Sequence, residues 1–394
     1  MSVFSTFLLH PKLPYALRPA DAFLALSIGA MLLLTPRRFQ VPGWSLAGMI
    51  LLAGSGIVST LWNGDPESVI TFFKTLWVWL WGLCLYTVAR QAGGQRALAL
   101  WHACGAAVGA GLLVLKGEGY ALGLAEAIIG ESYRPIGTYT NPNLAASHLL
   151  NGAFLLPLFV SARPVGLSAL SAWLLCLWGL WRTQSLAGMG GIVVGMVGFV
   201  VLLPWLRKAR IAKLLLPGVL VVAGITVWQF NMLRSPYSLA GGPSLRIYRL
   251  PYKLEERRAK ERYSLAIWAS SPLVGIGRGR VYPEGERRGM GSGGAHNEYL
   301  TTLAEAGIIG FVGLAILLAA PLVSGFRAIG RQGAERELLA VCVCAFLGQL
   351  FFGWTHDIIH FRHVWVLMAI LLAAVPSTHA SPQERLKATH YRST

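Results

Sequence analysis

The chain has 394 residues, of which 55% are hydrophobic and only 13% charged, and its formal net charge is +17. Its charged share is about half that of a soluble globular domain, and its apolar residues gather in runs near the ~20 that cross a hydrocarbon core as a helix. That excludes a string of soluble domains, and with no nucleic-acid-binding motif beside it the positive charge does not point to DNA or RNA.

In chain order, the apolar runs predict spans over 20–35, 44–62, 68–90, 97–115, 142–160, 165–181, 185–206, 211–230, 303–326, 337–354 and 361–375. The expected fold is an all-α polytopic membrane protein of eleven helices, or twelve if 1–19 or 117–131 hides a short or re-entrant element. The first span would act as an uncleaved targeting signal. Basic stretches fall on alternate connections, so all can lie on one side: Arg37-Arg38, Arg90 to Arg96, Arg163, Arg207-Lys208-Ala209-Arg210, 327–336, and the tail with Arg385 and Lys387. Positive loops stay cytoplasmic, which leaves the acidic turn Asp65-Pro66-Glu67 outside. The chain then divides into an N-terminal bundle (1–230), a large external loop (231–302), C-terminal membrane helices (303–375) and a cytoplasmic tail (376–394).

Within the spans, Lys74 either snorkels or faces the bundle interior, and Trp77, Trp79 and Trp81 pack near an interface. His102 and His148 read as satisfied interior histidines. The fifth span opens on Asn141-Pro142, an N-cap followed by proline at the first helical position, with Asn143 next at the membrane surface. All five cysteines, Cys84, Cys104, Cys176, Cys342 and Cys344, lie in apolar runs and read as packing residues. Cys342-Val343-Cys344 is too short a spacing for a familiar metal knuckle, so no disulfide, zinc or other cofactor is implied.

The loop between the eighth and ninth spans breaks the charge rule, with twelve Lys and Arg between Asn231 and His296. A positive external loop suits an anion. Residues 253–268 hold strong helix formers and the supporting pair Glu256–Lys260. Arg258 and Arg262, four apart, share one face and repel unless Glu261 or an anion lies nearby. The glycine-rich stretch 285–294 is expected to be mobile. Gly275-Ile276-Gly277-Arg278-Gly279 is not a dinucleotide loop, since no βαβ unit surrounds it.

The loop ends in His296, which titrates near neutral pH. It is either a base or a capping residue at the interface. Beyond it, Gly307 and Gly310 are three apart, which places them on one helix face open to a close neighbour. The last external turn holds His356, Asp357, His360 and His363. Helical spacing would let the histidines hold a metal, or they are interfacial; Asp357 either orients His296 or an arginine, or caps a helix end. Arginines and one histidine at a bilayer surface suggest chemistry on a lipid-linked phosphate.

His296-Asn297, nine residues, then Gly307-Ile308-Ile309-Gly310 resembles the signature of the O-antigen ligase family, within the ligase/polymerase superfamily of lipopolysaccharide assembly. Arg262, Trp268 and Ser271-Pro272-Leu273-Val274-Gly275-Ile276-Gly277 are similar to that superfamily's Arg…Trp…hPlxGxG stretch. Gly137-Thr138-Tyr139-Thr140-Asn141-Pro142-Asn143 is similar to its GTxxNPN run. One element departs: where the family often has an arginine after Thr-x-Ser, Thr183-Gln184-Ser185 is followed by Leu186 and preceded by Arg182.

The resemblance implies a GT-C-like, inverting, metal-independent glycosyltransferase at the periplasmic face of the bacterial inner membrane, among membrane lipids. Its donor would be undecaprenyl-pyrophosphate-linked O-antigen and its acceptor a sugar hydroxyl of the lipid A–core. Breaking the sugar–pyrophosphate bond builds negative charge, which fixed guanidinium groups stabilise. Arg182, Arg246, Arg249 and Arg262 are the expected donor clamp, with Arg134 and Arg258 in reserve and His296 as the base. Other basic residues of the loop contact anionic lipid heads, and Arg278, Arg280, Arg287 and Arg288 are bystanders or acceptor-phosphate contacts. An O-antigen polymerase would use the same donor. A lipid-linked sugar transporter or flippase, a different class, would bury its cations in a cavity reached from both faces.

Overall fold

A computed structural model describes residues 41–63, 66–117, 139, 141–160, 166–183, 185–206, 249–287, 296–330 and 335–374, and a few isolated positions. The expected spans 20–35 and 211–230, the stretches 1–19 and 118–131, and the tail 376–394 lie outside the described residues. What is described is helical, with no strand. The helices are α1 (Gly43–Asn63), α2 (Pro66–Ala89), α3 (Gly94–Gly117), α4 (Pro142–Leu155), α5 (Pro157–Val160), α6 (Gly166–Arg182), α7 (Leu186–Leu202), α8 (Arg249–Ser270), α9 (Val281–Arg287), α10 (Glu298–Gly330), α11 (Arg336–Gly353) and α12 (Arg362–Leu372).

Seven of the described segments are long and apolar enough to cross a membrane: Gly43–Leu61, Thr71–Ala89, Gly94–Leu115, Pro142–Val160, Leu186–Trp205, Glu298–Gly330 and Arg336–Gly353. The chain is a multi-pass helical membrane protein. Helix α11 runs through the middle of the bundle, with every residue from Leu338 to Phe346 buried, and packs against α4, α7, α10 and α12. Helices α1 and α10, and likewise α7 and α11, approach closely at facing glycines. A Cβ on Gly48 of α1 would stand 2.8 Å from the Gly313 carbonyl oxygen of α10, and one on Gly313 would stand 2.6 Å from that of Gly48.

Several polar side chains inside the bundle bond to one another, as an apolar surround favours. Gln349 Nε2 donates to Ser147 O at 2.6 Å and to Asn151 Oδ1 at 2.7 Å. Ser147 Oγ lies 2.7 Å from His363 Nε2, Asn151 Nδ2 lies 3.0 Å from His102 Nε2, and Tyr139 Oη lies 2.8 Å from His148 Nδ1. His102 and His148 are thus interior members of a network that joins α3, α4, α11 and α12. The five cysteines are free thiols.

The ninth expected span begins earlier and is not one regular helix. Helix α10 starts at Glu298, and at Gly307 the backbone leaves helical geometry with φ +63° and ψ −168°. Gly307 and Gly310 therefore do not share a continuous helix face, contrary to the expectation from their spacing. The reason is a loop that inserts beside the kink. Ile276 and Gly277 donate their N–H groups to the carbonyls of Ala304 (3.1 Å) and Glu305 (3.0 Å), while Ile308 and Ile309 donate to Pro272 (2.9 Å) and Leu273 (3.2 Å). Backbone groups freed by the kink are satisfied by the loop rather than by the helix. Only glycine fits at 307: the positive φ suits no Cβ, and one would strike the Leu273 carbonyl.

Candidate functional site

The inserted loop brings the large connection to the end of the bundle where α1 and α11 finish and α2, α10 and α12 start. Helix α8 delivers it. Tyr263 and Ile267, one turn apart, pack with Val281 and Ala304 in a small core of their own, so α8 lies on the outer part of α10. Trp268 Nε1 then donates to Pro272 O at 3.1 Å and Ser271 Oγ to Gly275 O at 2.8 Å, turning the chain toward α10. Gly277 lies against Ser68 and Gly279 against Thr71 of α2, and the Arg278 side chain lies against Gly56 of α1.

Two carboxylates at the start of α10 anchor the surrounding segments. Glu305 sits with Arg278 at 3.6 Å, both side chains under 5% exposed, and its Oε1 accepts the Val281 N–H at 3.3 Å, which fixes the start of α9. Glu298 Oε1 accepts from Thr302 Oγ1 at 3.1 Å, and its Oε2 accepts the Ile359 N–H at 2.8 Å. That second bond ties the segment between α11 and α12 to the first turn of α10.

His296 stands where these pieces meet. Asn297, 1% exposed, accepts the N–H groups of Tyr299 (3.0 Å) and Leu300 (3.2 Å) through Oδ1, the N-cap arrangement. His296 itself has φ +48°, the one non-glycine residue with positive φ among the described residues. Such backbone is uncommon outside glycine and persists where surroundings over-determine it. Its Nδ1 lies 3.5 Å from Tyr282 Oη, at the long end of hydrogen-bond range, and Tyr282 Oη donates to Asp357 Oδ2 at 2.7 Å. The His356 ring is 6.4 Å from that of His296. Burial first, and then the charge of Asp357, hold the Tyr282 hydroxyl well above its ordinary range, so it stays protonated.

The structure therefore brings His296, Asn297 and Asp357 together, and adds Tyr282 between the histidine and the carboxylate. Asp357 does not cap α12, whose N-cap is Phe361. Asn143 accepts from Ser185 Oγ at 3.0 Å, linking the start of α4 to the N-cap of α7, and Arg182 ends α6 just before the Thr183–Ser185 turn. Arg258 and Arg262 are exposed on α8, on the side away from Tyr263 and Ile267. Arg249 is the first residue of α8; Arg134 and Arg246 lie outside the described residues.

Several expectations change. Arg278 is not a bystander in a glycine-rich tip but a buried cation at 3% exposure, paired with Glu305. Residues 285–287 are helical, in α9. His356, His360 and His363 do not follow helical spacing, because 354–361 is turn and extended chain: His356 Nδ1 is 3.0 Å from Thr355 Oγ1, whereas His363 faces Ser147. Among the described residues no three His, Cys, Asp or Glu side chains form a group that could hold a metal ion. Sequence reasoning missed Tyr282, Glu298 and Glu305. Glu298 and Glu305 were visible as two acidic residues seven apart at the start of an apolar span; Tyr282 gave no signal.

Residues 170–315 match the family model described as O-antigen ligase. The match starts in α6, ends in α10 just past Gly310, and takes in Arg182, α8, Tyr282 and His296, so the likeness read from HN-x9-GxxG is borne out. A comparison with curated proteins gives no match.

Proposed function

We propose that this protein, taken as an O-antigen ligase, transfers a glycan from undecaprenyl-pyrophosphate to a sugar hydroxyl of lipid A–core at the periplasmic face of the inner membrane. The observation that carries the reading is His296: strained backbone, the Asn297 cap and Tyr282 hold its ring at the mouth of α10. A neutral imidazole there takes the acceptor proton, an effect worth on the order of 10²–10⁴-fold in rate. The acceptor oxygen attacks the anomeric carbon from the face opposite the pyrophosphate. The bond from that carbon to the phosphate oxygen breaks with its electron pair, and configuration inverts.

The leaving pyrophosphate needs fixed positive charge. Arg262 and Arg258, exposed on α8, Arg249 at its first residue and Arg182 at the end of α6 are the described candidates, with Arg134 and Arg246 completing the clamp. Arginine suits the task because it stays charged and binds phosphate oxygens in pairs. A GT-C-like arrangement, with a carrier-lipid site where membrane helices meet an external segment of 231–302, accords with this reading. No step calls for a metal or another cofactor.

The test is transfer in proteoliposomes with varied lipid-linked donor. Arg262→Ala and Arg182→Ala are expected to raise the donor KM at least tenfold while the acceptor KM holds. Variants that change neither would remove these arginines from the donor site.

A further inference from the structure

We infer that Tyr282 is a positioning residue: it transmits the Asp357 carboxylate to His296 and so fixes which ring nitrogen faces the acceptor. The inference rests on the glycosyl-transfer reading above, with His296 as its base.

A phenol oxygen carries one proton and two lone pairs. The proton of Tyr282 is committed to Asp357 Oδ2 at 2.7 Å. Toward His296 Nδ1, 3.5 Å away, the same oxygen has only lone pairs to offer. The tautomer that matches this oxygen carries its hydrogen on Nδ1 and leaves Nε2 as the unprotonated nitrogen. The rings meet edge to face at 73° with centroids 5.9 Å apart, which suits an in-plane N–H aimed at the phenol oxygen.

The tyrosine is itself held from both sides. Its neighbour Val281 is fully buried and its N–H is bound by Glu305. Asp357 lies in the segment clamped by Glu298 through Ile359. Tyr282 remains protonated throughout, so it is not a second base. In the transfer step the acceptor O–H bond breaks and the Nε2–H bond forms. The acceptor oxygen–anomeric carbon bond forms as the carbon–pyrophosphate bond breaks. The imidazolium that results has its charge one phenol removed from Asp357, and the proton stays on histidine until it leaves for solvent.

Among the described residues, the charged and titratable groups packed around this line include Asp357 and His356 from the segment after α11, Glu298 and Glu305 from α10, and Arg278 from the inserted loop. Of these, Asp357 is the one joined to His296 through the Tyr282 oxygen, so its removal and that of Tyr282 should act as one change. Residues on a common path give non-additive losses.

The experiment measures kcat, both KM values and the pH profile of kcat for Tyr282→Phe, Asp357→Asn, the double variant and His296→Ala in the reconstituted transfer reaction. Tyr282→Phe is expected to lower kcat about 10–100-fold with both KM values held, and to move the acid limb to lower pH, because the imidazolium loses its partner. Asp357→Asn should give a loss of the same order, and the double variant no more than the worse single. Replacing Tyr282 with 3-fluorotyrosine keeps the shape, weakens the oxygen as an acceptor, and should shift the limb in the same direction even if the phenylalanine variant unfolds. Additive losses, or an unshifted limb in both the phenylalanine and fluorotyrosine proteins, overturn the inference. If His296→Ala transfers like wild type, the base assignment itself has failed. If that variant is inactive while Tyr282→Phe matches wild type, only the role of Tyr282 has.

Discussion

Glu298 Oε2 accepts the Ile359 N–H at 2.8 Å, joining the helix that begins beside His296 to the segment that carries Asp357. The two sides of the site come from stretches 61 residues apart, and this bond sets their spacing. Glu298→Ala should leave a buried N–H without its acceptor, at a cost of about 1–3 kcal/mol, and let Asp357 drift from Tyr282. The expected result is a lower Tm in detergent and a kcat reduced about tenfold or more.

Gly307→Ala should be the most damaging single methyl at the site. It places a Cβ at φ +63° and against the Leu273 carbonyl, so either the kink or the four loop–helix hydrogen bonds must give way. A loss of at least ~2 kcal/mol is expected, with the 272–277 loop released. Gly330→Ala, where nothing lies within 4 Å, serves as the comparison and should leave thermal unfolding unchanged.

Arg278 and Glu305 form a buried pair, and breaking one half leaves an uncompensated charge. Either Arg278→Met or Glu305→Leu should cost ~3–5 kcal/mol. The double variant should cost less than the sum, since both desolvated charges then vanish together. Thermal unfolding of the three variants checks it; strictly additive losses would mean that the pair does not act as a unit.

The pH dependence of stability should carry a signature of His360. Burial, aided by the positive charge of Arg278, Lys74 and Arg362, brings it down to about 3 from its ordinary 6.5. A histidine depressed in the folded state is neutral there and protonates more readily when unfolded. Its contribution is thus fully present above pH ~6.5 and lost progressively toward pH ~3. His360→Gln should flatten the fall of Tm across that window. An unchanged slope would show that His360 is not held neutral.

Membrane architecture was legible in the sequence because hydrocarbon thickness imposes a length on every apolar run: 142–160 was read to the residue, 44–62 and 337–354 to within one at each end, and 68–90 to within three. The kink at Gly307 was not legible. Its cause is a loop thirty residues earlier, and spacing alone suggested a plain helix face. His296 and Asp357 stood out as chemistry at the ends of spans, and the Asn297 cap was close at hand as half of the same motif. Tyr282 and the burial of Arg278 were hidden for a common reason. Both depend on how 272–287 folds back between α1, α2 and α10, a contact that local periodicity does not encode.

Ligation itself is checked by giving the purified, reconstituted protein undecaprenyl-pyrophosphate-linked O-antigen and rough lipopolysaccharide with EDTA present, beside His296→Ala. Glycan should appear on lipid A–core with the wild-type protein and be lost in the variant. Longer lipid-linked glycan with none on lipid A–core would instead make the enzyme a polymerase. Movement of the lipid-linked donor across the bilayer with no transfer at all would refute the enzyme reading.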